Sequence, residues 1–270
     1  FCALSIASGA RADEAALRQT VEFMASLGSR LSGYPGGKKA ADYAEKELRD
    51  LEIAQVEREA FTLAVPMDKG GELVLLESGN QRFRLYGIWP NQVRTPTLPA
   101  GGIAAPLIYG RSGSYADLNG LELQGRVVLL DFNSWNNWLH AASLGARAII
   151  FIAPEETTRA QADEKYAGVP LDIPRFWVDR ENGLKIKAVA ERAETQIRLS
   201  GRMDWEQKTA WNIWARIPGS DPQLAEETII IEAYFDGISM VPALAPSAEM
   251  ASSIAALLEF ARYLRANPPA

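Results

Sequence analysis

Three runs of mostly apolar residues place the strongest limit on how this chain can fold. They cover residues 127–130, 148–152 and 228–235, and each is long enough for one strand. Strands with apolar residues at consecutive instead of alternate positions are typical of sheets that are covered on both faces. A helical pattern over residues 135–144 joins the first two runs, and another over residues 254–264 follows the third. The sequence therefore predicts an α/β protein.

The remaining pattern divides the chain into three parts. Residues 13–52 have the spacing of two helices, residues 53 to about 205 are rich in strand patterns and chain breakers, and residues 211–270 return to strand and helix patterns. The glycine-rich stretch 33–39 lacks the Ser or Thr that follows the lysine of a phosphate-binding loop, so we interpret it as a turn. A Ser-Gly-Asn sequence at residues 78–80, between two strand patterns, predicts a hairpin.

The composition excludes several functional classes. The formal net charge is −6 at pH 7, so the sequence offers no basic surface of the kind that binds nucleic acid or anionic membranes. Cys2 is the only cysteine, which excludes a disulfide framework and a thiolate zinc site. His140 is the only histidine, and we interpret it as a packing residue because a lone imidazole makes no site. No stretch approaches the ~18 uninterrupted apolar residues that a membrane-spanning helix needs.

The first twelve residues have the character of a targeting sequence. Residues 1–8 are apolar and small, and Ala10-Arg11-Ala12 has the small-x-small form of a signal-peptidase site. We interpret residues 1–12 as the remnant of a secretory signal peptide, which predicts a secreted or periplasmic protein. The alternative interpretation is a mildly apolar, frayed N-terminus.

The order of several motifs along the chain resembles metallopeptidase family 28, which holds zinc aminopeptidases and carboxypeptidases of an α/β fold. Three motifs carry this resemblance, at residues 28–36, 212–222 and 251–253. Three further motifs resemble the protease-associated domain that is commonly inserted into that family, at residues 117–120, 124–130 and 141–152. The resemblance implies that this chain is the N-terminal part of such a protein.

The resemblance also implies a fold class and domain boundaries. The fold class is α/β, with a partial zinc-exopeptidase-like mixed sheet and flanking helices, interrupted by a β-rich protease-associated (α+β) insert domain. The implied domains are a signal-peptide remnant at 1–12, N-terminal helices of the peptidase-like domain at 13–59, the protease-associated domain at 60–205, and the truncated start of the peptidase-like α/β domain at 206–270. The two parts of the peptidase-like domain should then pack together although they lie far apart in sequence.

The zinc site that the resemblance implies is degenerate in this chain. The family holds two zinc ions bridged by a carboxylate, with a glutamate as general base. Asp236 keeps the place of one metal-binding aspartate, but Tyr234 replaces the ligand histidine, and a phenol with a pKa near ~10 is a poor zinc ligand at neutral pH. Glu249 falls where the bridging aspartate is expected, between Ala248 and Met250 in place of polar neighbours. We therefore expect no catalytic residue within this chain and no bound zinc, although zinc is the cofactor of the family.

Three functional hypotheses remain open at this point. The first is a non-catalytic family-28 homologue, and the second is the N-terminal fragment of an active, secreted two-zinc aminopeptidase or carboxypeptidase. The third is a peptide- or sugar-binding scaffold, in which Trp135 and Trp138 form an aromatic platform because they are spaced three apart in a predicted helix. All three predict a peptide, protein or sugar partner and no nucleic acid.

Overall fold

The structure is a computed structural model that describes residues 13–76, 79–166, 168, 170–192, 194–224 and 227–268, with only the backbone at 248 and 249. The predicted signal remnant, with Cys2, lies outside the described residues. The helices are α1 (Glu14–Ser26), α2 (Pro35–Asp50), α3 (Tyr115–Leu118), α4 (Trp138–Ser143), α5 (Arg159–Asp163), α6 (Arg180–Ala190) and α7 (Ala248–Ala266). The strands are β1 (Gln55–Leu75), β2 (Gln81–Gly87), β3 (Ile103–Tyr109), β4 (Val127–Asp131), β5 (Ala148–Ile152), β6 (Arg175–Val178) and β7 (Thr195–Arg216).

Among the described residues, the strands form one mixed sheet that closes in the order β1-β2-β6-β5-β4-β3-β7. The neighbours β3, β4, β5 and β6 run parallel to one another, whereas β1 pairs antiparallel with β2, and β3 with β7. Leu75 faces Gln81 at the closed end of the β1–β2 hairpin, as the turn signal predicts. The predicted α/β class is confirmed.

The chain divides into two compact units. The middle unit comprises the described residues of Pro66–Glu206 and Met240–Ala243, and the terminal unit draws on the described residues within Phe1–Val65, Gln207–Ser239 and Leu244–Ala270. The identity of the middle unit as a protease-associated insert stays a prediction. None of the described helices is long and apolar enough to cross a membrane.

The parallel strands form the core of the middle unit. All four residues of the run Val127, Val128, Leu129 and Leu130 are completely buried in β4, and β5 is buried along its whole length. This confirms the prediction that consecutive apolar residues mark strands covered on both faces. Helix α4 between them is shorter than predicted and begins at Trp138, because Trp135 has a φ of 47° and lies outside the helix.

Two cations lie buried in the middle unit, and neither has a carboxylate as hydrogen-bond partner among the residues that the structure describes. Lys165 Nζ donates to the carbonyl of Trp135 at 2.5 Å and lies 5.0 Å from the ring centre of Phe132. Arg175 donates to the carbonyls of Lys165 and Trp89, the latter at 2.9 Å. The pKa of Lys165 is lowered to about 8, chiefly by burial; the charge of Glu164 opposes this shift, and the charge of Arg175 adds to it. Folding therefore places an ammonium group where its charged form is disfavoured.

Stability should consequently rise with pH above neutrality. Below pH 8 Lys165 is charged in both the folded and the unfolded protein, so the free-energy cost of burying the charge is present in full. Between about 8 and its usual pKa of 10.5 the folded protein gives up the proton first, and the cost disappears. The difference between these two pKa values corresponds to about 3 kcal/mol in the free energy of unfolding. Urea denaturation from pH 7 to 10 should show this rise in the wild type and a flatter profile in Lys165→Met; parallel profiles would contradict it.

Helices from both ends of the chain form the core of the terminal unit. Met24 of α1 and Leu48 of α2 pack in one cluster with Ile254 and Leu258 of α7. The prediction that the opening helices pack against the last segment of the chain is thus confirmed. The predicted turn at 33–39 is partly wrong, since α2 already begins at Pro35, where proline fits the first helical position.

The predicted buried strand at residues 228–235 is wrong. These residues form no strand in the structure, and the side chains of Ile229 and Ile230 are 88% and 82% exposed. The physical reason is that a strand needs a hydrogen-bonded neighbour, and the described residues supply none for this segment. The preceding strand pattern at 212–216 is confirmed as the end of β7.

Candidate functional site

Three loops of the terminal unit come together around the positions of the predicted metal ligands. The loop between α1 and α2 contributes Arg30, whose backbone N–H donates to the carbonyl of Ala245 at 2.9 Å. The carbonyl of Arg30 in turn accepts from the N–H of Gly237 at 3.1 Å. The backbone of Arg30 therefore bridges the loop that carries Asp236 and the loop that precedes α7.

The side chain of Arg30 connects the same two loops. The residue is completely buried, and its guanidinium donates to the carbonyl of Phe235 at 2.8 Å, of Pro246 at 3.0 Å and of Ser247 at 2.6 Å. Burial lowers the pKa of Arg30, and the negative charge of Asp236 partly offsets this effect. A single guanidinium thus satisfies three carbonyls and lies in the field of the candidate metal ligand.

Asp236 is held by a hydroxyl group. Its Oδ2 accepts a hydrogen bond from Ser32 Oγ at 2.8 Å. The next residue must be glycine, because a Cβ at Gly237 would lie 2.6 Å from the carbonyl oxygen of Ala245 and 2.7 Å from Ser247 Oγ. Ser247 has a φ of +43° and donates to the carbonyl of Ile238 at 3.0 Å. The turn after Asp236 is therefore tightly packed against the start of α7.

The second predicted ligand position, Glu249, and the position of the replaced histidine, Tyr234, lie on either side of Asp236 in the sequence, and the metal site itself stays a prediction. The side chain of Tyr234 is 71% exposed. Glu249 lies in the first turn of α7, but its side chain is outside the described residues. Within the part of the chain that the structure describes, no three His, Cys, Asp or Glu side chains are placed to hold a metal ion. The described side chains at these positions, the carboxylate of Asp236 and the exposed phenol of Tyr234, fall short of the four ligands of a structural zinc site.

The predicted tryptophan platform in the middle unit is wrong. Trp138 is completely buried, its indole N–H donates to the carbonyl of Glu164 at 3.0 Å, and the guanidinium of Arg175 lies 4.4 Å from its ring centre. Trp135 is 53% exposed, in the turn before α4. Although the two tryptophans are three residues apart, their rings do not lie on one surface, because the helix begins only at Trp138.

His140 is a packing residue in the structure. Its ring stacks on Tyr115 with 3.9 Å between ring centres, and its Nδ1 lies 3.0 Å from the carbonyl oxygen of Gly113. The two contacts join α4 to the first residue of α3 and to the loop before it. This agrees with the interpretation of the lone histidine as structural.

The described residues of the middle unit line two clefts. The larger has a volume of about 480 Å³ and lies beside the end of β3. The smaller, of about 380 Å³, lies at the carboxyl ends of β4 and β5, where Asp131, Arg180 and Lys187 line it. Tyr109 donates to Asp131 Oδ2 at 2.8 Å and thereby orients that carboxylate. Neither cleft is lined by the predicted metal ligands.

Sequence reasoning missed Arg30 and Ser32. Both belong to the motif at residues 28–36, which carries part of the family resemblance. The available signal was an arginine and a serine in a short loop between two amphipathic helices, where polar side chains often satisfy backbone groups.

The comparisons with known proteins give a fold likeness without a sequence match. No protein-family model matches this chain, and no curated protein matches it. Among solved structures, BSAP, a zinc aminopeptidase from Bacillus subtilis, is 18% identical with a TM-score of 0.62, and the match covers 94% of this chain and 57% of that one.

Two further solved structures show the same likeness. The Peptidase M28 precursor from Shewanella amazonensis SB2B is 21% identical, with a TM-score of 0.56 over 83% of this chain and 57% of that one. The aminopeptidase from Aneurinibacillus sp. strain AM-1 is 20% identical, with a TM-score of 0.50 over 95% of this chain and 60% of that one. This chain therefore spans about three-fifths of the length of the proteins that it resembles, and what it shares with these aminopeptidases is their fold.

Proposed function

We propose that this chain is a family-28-like exopeptidase scaffold whose zinc site is degenerate, so that it binds peptides or proteins without cleaving them. The observation that carries the proposal is the surroundings of Asp236, which already contain the Ser32 hydroxyl and the charge of Arg30. The fold likeness to zinc aminopeptidases supports the scaffold, and the replacement of the ligand histidine by Tyr234 supports the loss of metal.

The positive charge near Asp236 disfavours zinc binding at this position. A metal-ligating carboxylate needs neighbours that orient it and leave its oxygens available to the cation. Here one oxygen of Asp236 accepts from Ser32, and the carboxylate already interacts with the positive charge of Arg30. Two cations close to one carboxylate repel each other, most strongly where burial lowers the effective dielectric constant. Zinc would therefore bind weakly unless Arg30 moved.

The same proposal also implies where the protein is located and which unit binds its ligand. A signal peptide at the N-terminus would make the protein secreted or periplasmic. The middle unit, as a protease-associated insert, would supply the peptide- or protein-binding surface. These assignments rest on the sequence motifs at 1–12 and within 117–152.

Peptidase assays with and without added zinc test the proposal. We expect no hydrolysis of aminoacyl or acyl-peptide chromogenic substrates above the protein-free rate. Tyr234→His restores an imidazole near Asp236 and should raise zinc affinity more than Tyr166→His, a tyrosine exposed to 41% in the middle unit. Zinc-dependent turnover by the wild-type chain would contradict the proposal.

A second candidate function is an active zinc aminopeptidase or carboxypeptidase of which this chain forms the N-terminal part. The observation that favours it is the coverage of only 57–60% of the similar structures, which leaves room for ligands and a general base outside these residues. Sequencing the gene on both sides of the region for residues 1–270 discriminates between the two candidates. A further histidine, aspartate and pair of glutamates would favour the active enzyme.

A further inference from the structure

The larger cleft of the middle unit combines positive charge with apolar surface. It lies beside the end of β3, and its volume of about 480 Å³ falls within the ~300–1,000 Å³ of small-ligand sites. We call it the β3 cleft. Three arginines line it, Arg111, Arg126 and Arg192, together with apolar surface that includes Tyr109 and Leu121. All of these residues belong to the middle unit, so the cleft is formed within one unit.

The backbone of Arg111 lies in the left-handed region, with a φ of 53°. This conformation favours glycine and costs free energy for other residues. Two backbone hydrogen bonds hold it there. The N–H of Gly110 donates to the carbonyl of Leu129 at 2.9 Å, and the N–H of Asp131 donates to the carbonyl of Arg111 itself at 2.8 Å. Because strained residues concentrate at functional sites, an arginine in this conformation beside a cleft indicates a need for its side chain.

Two carboxylates that line the β3 cleft are engaged with other groups of the middle unit. Asp117 accepts hydrogen bonds from the hydroxyls of Ser112 and Ser114, the latter at 2.9 Å, and these bonds lower the pKa of Asp117. Glu194 accepts from the guanidinium of Arg126 at 2.8 Å. Local partners therefore hold both carboxylates, and one of the three arginines has a carboxylate of its own.

The other two guanidinium groups give the β3 cleft its binding chemistry. Arg111 follows β3, Arg192 follows α6, and both are exposed residues of the lining. Glu191, the third carboxylate of the lining, lies one helical turn after Lys187. The pKa of Lys187 is raised chiefly by its hydrogen bond with Tyr109, and the charge of Glu191 contributes. Guanidinium forks bind carboxylates through paired hydrogen bonds, so the cleft suits a ligand that carries carboxylates.

We propose that the β3 cleft is the peptide-binding site of the middle unit and that it takes an acidic peptide segment. Arg111 and Arg192 bind carboxylates of the segment, and Leu121, which is 36% exposed, contacts one of its apolar side chains. The strands β3 and β4 beside the cleft are paired on both sides, so side chains must recognise the peptide instead of a strand edge. This inference rests on the proposed peptide-binding function and names the class of peptide.

Fluorescence anisotropy with two labelled peptides tests the proposal on the whole chain. One probe is an acetylated hexapeptide of alternating glutamate and leucine, and the other has glutamine in place of glutamate. We expect the glutamate peptide to bind at least about fivefold more tightly, and the preference to shrink as salt screens the charges. Equal affinities would overturn this inference but leave peptide binding intact, whereas binding of neither peptide would contradict both. Displacement by an equal concentration of inorganic phosphate would show a small-anion site instead.

The variant Arg111→Gly separates binding from stability. Glycine removes the guanidinium but adopts the left-handed conformation without strain, so binding of the glutamate peptide should weaken at least about fivefold while the urea midpoint stays equal or rises. Arg192→Gln should weaken binding similarly. Arg159→Gln is the matched control, at an arginine of the middle unit whose side chain is 89% exposed outside this lining, and it should leave binding unchanged. Unchanged binding in both cleft variants, or a lowered midpoint in Arg111→Gly, would refute the assignment.

Discussion

Replacing Arg30 with methionine is expected to destabilise the terminal unit by about 3 kcal/mol or more. The guanidinium donates to the carbonyls of Phe235, Pro246 and Ser247, and methionine removes all three of these hydrogen bonds. It also leaves the carboxylate of Asp236 without the positive charge beside it. Equilibrium urea denaturation, followed by the circular dichroism of the helices, measures the loss.

Two controls separate the carbonyl contacts from general effects. Arg30→Lys keeps the charge but offers one compact donor group instead of a planar fork, so it should recover only part of the stability. Arg18→Met removes an arginine from α1 whose side chain is 70% exposed, and it should change stability by less than ~0.5 kcal/mol. A loss in Arg30→Met no larger than that in Arg18→Met would show that Arg30 does not hold the two loops together.

Hydrogen-exchange rates should differ by about four orders of magnitude or more between two apolar segments of the same chain. Amides of a core strand exchange only when the protein unfolds globally, whereas amides of an open loop exchange without unfolding. The amides of Val127–Leu130 lie in β4, between the parallel neighbours β3 and β5. Those of residues 229–233 have no backbone partner among the described residues. In dilute protein the first set should exchange only through large-scale unfolding, whereas the second should exchange almost as fast as a free peptide.

The contrast in exchange distinguishes two states of the terminal unit. Equal and strong protection of both segments in a monomer would mean that residues 229–233 are paired after all. It would also restore the buried strand that the sequence predicts at 228–235. Exchange is measured on the intact chain at low concentration, so that self-association does not contribute protection.

The reliable predictions from the sequence concern local patterns. The buried strands β4 and β5 were predictable because consecutive apolar residues are sufficient to mark a strand covered on both faces. The packing of α1 against α7 was predictable because each helix has one apolar stripe that needs a partner. Both properties depend only on short stretches of sequence.

The failures concern interactions with distant parts of the chain. Residues 228–235 have the same local pattern as β5, but pairing depends on a neighbouring strand, which no local pattern reveals. Arg30 donates hydrogen bonds to carbonyls 205–217 positions away. Every residue has a backbone carbonyl, so the sequence does not indicate which ones accept from Arg30. Trp135 and Trp138 differ in burial because the helix begins between them, and helix ends are the least predictable feature of a helix.

The zinc content of the purified chain tests the central claim most directly. The protein should be purified without chelators, in buffer supplemented with zinc and then exchanged into zinc-free buffer, before elemental analysis. Because Asp236 already has Ser32 and Arg30 beside it and Tyr234 replaces the histidine, we expect much less than one zinc ion per chain. Two tightly held zinc ions per chain would contradict the account.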